Sequence, residues 1–119
     1  MPVVRIVPNL MVTDVAHANA LYARLFGLQI AMDLGWVGNL SLGEAGRIQL
    51  QTMTVDAAAS CNPVVSVGMA SPADVDDIYE RVRAERLDIV HPLSDEVWGV
   101  RRFFFRDPDG NVINVVANA

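Results

Sequence analysis

The sequence predicts an α+β fold of two βαβββ modules, their sheets curled into a cup of mixed strand direction with the helices on its outer face. Three observations lead there. Segments of strand character and of helical spacing follow one another as strand, helix and three strands, and the order then begins again. A shift of 57 residues sets "YARL" (22–25) on "YERV" (79–82), Asp14 on Ser71 and Val7 on Val64. Between the copies, "TVDAAASCNP" (54–63) is small and polar and ends in proline, as a linker does. The expectation is a single domain over 1–119, with module 1 at about 1–53, the linker at 54–63 and module 2 at about 64–119.

The elements can be justified in order. "VVRIVPNLMV" (3–12) is rich in β-branched residues and reads as a strand. In "TDVAHANALYARLFGL" the period changes: Val15, Ala18, Tyr22, Leu25 and Phe26 share one helical face, Thr13 or Asp14 can cap the start, and Gly27 can end it. Three strands follow at about 28–33, 36–42 and 46–53, separated by glycines. The second copy opens with "VVSVGM" (64–69). Its helix, 71–85, has Ser71 as cap, Pro72 at the first helical position, and Val75, Ile78, Tyr79 and Val82 on one face. Strands near 87–90, 98–106 and 111–116 complete it. In "DPDGN" a turn is expected, with Pro108 fixing φ and Gly110 accepting positive φ. The same stretch touches a calcium-loop pattern, but the twelfth place, which needs Glu, holds Asn118.

Composition limits function. The chain has 119 residues, 52% of them hydrophobic, enough for one compact core without disulfides. No apolar run approaches the ~20 residues that span a bilayer, and the N-terminus lacks signal-peptide zones, so no membrane association and a cytoplasmic location are expected. A net charge of −5 without a basic run argues against nucleic acid, whose phosphates are held by clustered Lys and Arg. Cys61 is the only cysteine, which rules out an internal disulfide and a thiolate metal cluster. No nucleophile elbow, phosphate loop or dinucleotide fingerprint is present.

Three segments carry a family resemblance: "VTDVAHANALYARLFGL" (12–28), "DVDDIYERVRAE" (74–85) and "WGVRRFFFRDPDGNVINVV" (98–116). With the duplicated layout they make the chain similar to the vicinal oxygen chelate superfamily of glyoxalase I, bleomycin-resistance proteins and extradiol dioxygenases. The resemblance implies paired βαβββ modules, commonly a homodimer, and in metal-using members four ligands on the first and last strands of each module. Those places take His, Glu or Gln, whose nitrogen or oxygen atoms approach a divalent ion to about 2.0–2.2 Å. Carried over, they fall on Val7, on Gln49 or Gln51, on Val64 or Val65, and on Asn114. Valine cannot ligate. No metal and no cofactor are expected, and metal-dependent catalysis of the usual kind is disfavoured. His17, in the first turn of a helix, and His91, before Pro92 in a loop, are read as surface or packing residues.

Strand alternation sorts the rest. Ile48, Leu50, Phe103, Phe105, Ile113 and Val115 should pack under the helices. Arg5, Val7, Asn9, Arg47, Gln49, Gln51, Arg102, Phe104, Val112, Asn114 and Val116 should face the cup. Apolar walls with sparse polar groups suit an organic ligand. The candidate ligand-binding residues are Asn9, Trp36, Gln49, Gln51, Trp98, Arg102, Phe104 and Asn114, with the indoles placed to stack and Arg101 or Arg102 to meet a carboxylate or aromatic face. No catalytic residue is assigned. The expected function is metal-free sequestration of a drug or natural product in a dimeric cleft, as in bacterial bleomycin-resistance proteins. The alternatives are a lyase, isomerase or dioxygenase relative of unknown substrate, and a structural or regulatory module whose cup is filled by its own side chains.

Overall fold

The computed structural model describes residues 2–43, 46 and 48–119; the expectation for Arg47 lies outside them. The order is β1 (Val3–Met11), α1 (Val15–Phe26), β2 (Gln29–Asp33), β3 (Val37–Leu42), β4 (Ile48–Met53), β5 (Val65–Met69), α2 (Pro72–Ala84), β6 (Asp88–Glu96), β7 (Val100–Arg106) and β8 (Val112–Asn118). The α+β class and the twice-used order of strand, helix and three strands are as expected. The chain forms two compact units: residues 7–62, and residues 63–119 together with 1–6, so that β1 contributes to both.

In the unit of residues 7–62 the strand order is β2-β3-β4-β1. β2, β3 and β4 form an antiparallel meander, while β1, which precedes the helix, runs parallel to β4. Helix α1 begins where Asp14, in extended backbone, accepts the His17 N–H, and it stops where Gly27 takes a left-handed conformation (φ 68°). Its buried face is Val15, Ala18 and Asn19. It lies close against β3, and a Cβ at Gly38 would overlap the Asn19 amide and meet Val15 at 3.0 Å. Asn19 Oδ1 accepts the Thr52 hydroxyl at 2.7 Å inside this interface, while Asn19 Nδ2 is buried without a hydrogen-bond partner. Leu25 and Phe26, expected on the buried face, are exposed, and Phe26 stacks on Tyr22 at 6.2 Å along the helix surface. Ile48, expected under the helix, is 59% exposed, since α1 covers the Gly38, Leu40 and Thr52 levels and β4 runs on beyond it.

In the other unit the order β5-β8-β7-β6 repeats the pattern: β5 is parallel to β8, and β6, β7 and β8 form the antiparallel meander. Helix α2 starts at Ser71, whose side chain accepts the Asp74 N–H, with Pro72 as first helical residue. Val75 and Val82 pack with Met69, Phe103, Val115 and Ala117, and Ile78, Tyr79 and Phe105 close the edge of this core. Tyr79 meets Phe103 edge to face at 5.1 Å.

One element differs in length. The strand expected over 87–90 runs over 88–96, so His91 lies in a strand rather than a loop. Proline has no N–H for a ladder, which suggests an end to the strand at Pro92, but β6 is at the sheet edge, where no partner waits for that N–H. Register breaks between Ile89 and His91 and between His91 and Ser94 absorb the misfit.

Candidate functional site

The eight candidate residues fall into two groups of four, one in each unit. Asn9, Trp36, Gln49 and Gln51 belong to residues 7–62. Register pairs Asn9 with Gln51 and Gln51 with Asn39, so three amides stand in one row across β1, β4 and β3, on the face opposite α1. Gln49 is one level along: its Oε1 accepts Asn39 Nδ2 at 3.2 Å and its Nε2 donates to the Gly46 carbonyl. All four amides are half-buried, a floor able to donate and accept without net charge. Val7, on the same face, is fully buried. Trp36 sits in the bend before β3, its carbonyl accepting the Thr54 N–H at 2.9 Å, and its ring is half-buried.

Trp98, Arg102, Phe104 and Asn114 belong to the second unit and stand on the face opposite α2. Arg102 is buried, with its guanidinium carbon 4.9 Å from the centre of the Trp98 ring and 4.8 Å from that of Phe104. Two aromatic faces thus enclose one cation. Its charge is answered by Glu96, whose Oε2 accepts Arg102 Nη2 at 2.7 Å. Glu96 Oε1 lies 3.6 Å from His91 Nε2, too far for a hydrogen bond. The His91 ring also stands 5.0 Å from Phe104. The local chain explains the assembly: Glu96 and Val100 pair at the end of the β6–β7 hairpin, and Gly99, at φ 91°, turns Trp98 in the short connection between them. Arg101 points to the other face and pairs with Asp76 on α2 at 2.7 Å and Asp95 at 3.1 Å, bonds that raise its pKa and take it out of any ligand role.

A second row crosses this face: His91, Phe104, Asn114 and Ser66 are register partners on β6, β7, β8 and β5. Asn114 Nδ2 donates to Ser66 Oγ at 3.0 Å, which orients the amide. Asn114 Oδ1 and His91 Nε2 are buried without a hydrogen-bond partner, an arrangement that costs about 1–3 kcal/mol per group unless something satisfies them.

Four relevant residues escaped the sequence-based site. His91 was misplaced by Pro92, and Glu96 acquires meaning only through Arg102. Ser66 was within reach: the 57-residue shift carries Asn9 onto it, and Asn9–Gln51 corresponds to Ser66–Asn114. Arg5 was placed on the correct face but given no role. Val64 is corrected, since it precedes β5 and is half exposed, and the residue level with Asn114 is Ser66.

The positions to which the resemblance carries the ligands hold Val7, Gln49 or Gln51, Val64 or Val65, and Asn114, and the register sets Asn9 level with Gln51 and Ser66 level with Asn114. With no carboxylate or imidazole in the set, these residues do not fit a divalent ion. Among the described residues no three His, Cys, Asp or Glu side chains converge elsewhere. No helix among them is long and apolar enough to cross a membrane.

Comparison with known proteins agrees with the duplicated layout. The chain resembles in fold a structure described as an NAD-dependent benzaldehyde dehydrogenase from Legionella pneumophila (TM-score 0.77, 17% identity, 96% of this chain and 99% of that one). It is also similar to a glyoxalase/bleomycin resistance protein/dioxygenase superfamily member from Vibrio splendidus 12B01 (0.63, 15%, 96% and 98%). A third likeness is to the Mn(II)-bound glyoxalase from Novosphingobium aromaticivorans (0.65, 19%, 97% of this chain and 38% of that longer one). At these identities the likeness is one of fold. No curated protein matches the chain. The sequence model of the Glyoxalase/Bleomycin resistance protein/Dioxygenase superfamily matches residues 3–115, and the chain belongs to that superfamily.

Proposed function

We propose that this chain is a small-molecule-binding protein that holds a flat organic compound of the drug or natural-product kind without transforming it. The observation that carries the reading is the stack of Trp98, Arg102 and Phe104, charge-balanced by Glu96. Phe104 is fully buried, whereas Trp98 is 37% exposed, so the stack runs from the core to the surface. Asn114 Oδ1, buried without a hydrogen-bond partner, and His91 Nε2, 3.6 Å from Glu96, are polar groups beside this stack on the same face. The donor set at the family's ion positions supports binding over metal-dependent turnover. We take the working form to be a homodimer in the cytoplasm; exposed Ile6, Phe26 and Ile48 are apolar surface that a second copy would cover.

The test is a thermal-shift screen of aromatic antibiotics. At a hundredfold excess over Kd a ligand contributes about 2.7 kcal/mol, several degrees in Tm for a chain of this size. At least one compound should stabilise the protein saturably, and Trp98→Ala should weaken that compound about tenfold, the scale of one stacking contact. A panel without a stabilising compound rejects the reading. Light scattering in solution should give twice the chain mass of 13.0 kDa.

A further inference from the structure

Arg5 presents an unusual combination in an acidic chain. It is half-buried, and among the described residues it has no carboxylate partner, whereas Arg101 has Asp76 and Asp95 and Arg102 has Glu96. Its side chain lies along the backbone of Gly68. A Cβ built there would stand 2.6 Å from Arg5 Cγ, 2.8 Å from Nε and 3.0 Å from Cζ. Real Cβ atoms do not come so close, so glycine at 68 is what lets the guanidinium lie on the sheet.

The place where it lies matters. Gly68 is level with Val116 on β8, and Val116 with Arg102 on β7. Ser66 is two residues earlier on β5 and so points to the same side. Arg5 therefore rests on the face that carries Arg102, Phe104, Asn114 and Ser66. On the strands of this face the buried and half-buried ionised groups are Arg5, Arg102 and Glu96. Glu96 is held by Arg102 at 2.7 Å, which among the described residues leaves Arg5 without a carboxylate.

We propose that Arg5 is the charge anchor of the ligand, and that the ligand is a flat organic monoanion, an aromatic carboxylate. Its acid group pairs with the guanidinium, which offers a planar fork of N–H donors suited to a carboxylate. A cationic or strongly dianionic compound does not match a single guanidinium. The assignment rests on the small-molecule reading above and narrows it to a ligand class. It also moves the carboxylate contact from Arg102, which Glu96 occupies, to a residue 97 positions away in the chain.

Calorimetry with 2-naphthoate and its neutral isostere 2-naphthamide, on the full chain at pH 7, tests this. Naphthoate should bind about tenfold more tightly or better, with an advantage that shrinks as salt is raised. Arg5→Met, which keeps the length and removes the charge, should bring the two affinities together, and Arg5→Lys should restore part of the gap. Gly68→Ala leaves every charge in place but displaces the guanidinium, and should also narrow the gap; circular dichroism verifies that each variant is folded. Equal affinities in the parent protein, or a preference that survives Arg5→Met, overturns the assignment to Arg5. If neither naphthalene binds while a compound of the antibiotic panel does, the carboxylate class falls and the small-molecule reading stands. If nothing binds, both fall.

Discussion

Arg102 and Glu96 show how much depends on a few buried atoms. Both side chains are almost wholly removed from water, with relative exposures of 5% and 9%. A buried pair of this kind adds little over an apolar substitute, but removing one partner strands the other charge at a cost of about 3–5 kcal/mol. Glu96→Gln and Arg102→Met should each lower unfolding free energy in denaturant titrations by that order. The double variant should be less destabilised than the sum of the two, since no lone charge remains. Additive losses would mean that the pair is not coupled. At this scale the sequence was only partly legible. Alternation placed Arg102, Phe104 and Asn114 on one face, because side-chain direction in a strand has a period of two. It said nothing of Glu96 as the partner of Arg102, since that contact depends on the hairpin connection at 97–99.

Among the elements, the turn joining β7 to β8 is the most self-contained. Asp107 Oδ1 accepts the backbone N–H groups of Asp109 at 3.0 Å and Asn111 at 2.8 Å, and its Oδ2 accepts Asn111 Nδ2 at 2.9 Å. The Asn111 side chain is the largest cause, and its N–H and those of Asp109 and Gly110 follow, in holding the Asp107 carboxyl below its ordinary value of 3.8. A carboxyl whose pKa is depressed by folding stabilises the fold above its unfolded pKa, and loses that contribution as pH falls through the folded one. The Asp107 contribution should therefore be present above about pH 4 and be lost as pH falls below it, as a small part of the acid decline in Tm. Asp107→Asn should start from a lower Tm at neutral pH and lose less between pH 5 and pH 2; parallel acid profiles would reject the role. "DPDGN" disclosed this turn because its signals lie within five residues. The extent of β6 was not so legible, since whether a proline ends a strand depends on whether a neighbour needs its N–H, and only the strand order shows that β6 has none on that side.

For the whole molecule, the duplicated order is the feature from which family and fold follow, and the positions to which the resemblance carries metal ligands hold no carboxylate or imidazole. With amides and valines at those positions, added Mn²⁺, Ni²⁺ or Zn²⁺ at ten times the protein concentration should move Tm by less than about 1 °C, since an ion that does not bind the native state cannot stabilise it. A saturable rise of several degrees would show that the donor set is richer than Asn9, Gln51, Ser66 and Asn114. The sequence by itself determined the elements, their duplication and the side of each strand that faces away from its helix, because caps, periodicity and turn chemistry act over a few neighbouring residues. Only the tertiary structure decided which of those residues meet: Asn114 with Ser66 rather than Val64, Glu96 with Arg102, and Arg5 with the bare backbone of Gly68. Such partners are set by strand register and close approach between distant segments, which no local pattern in the chain encodes.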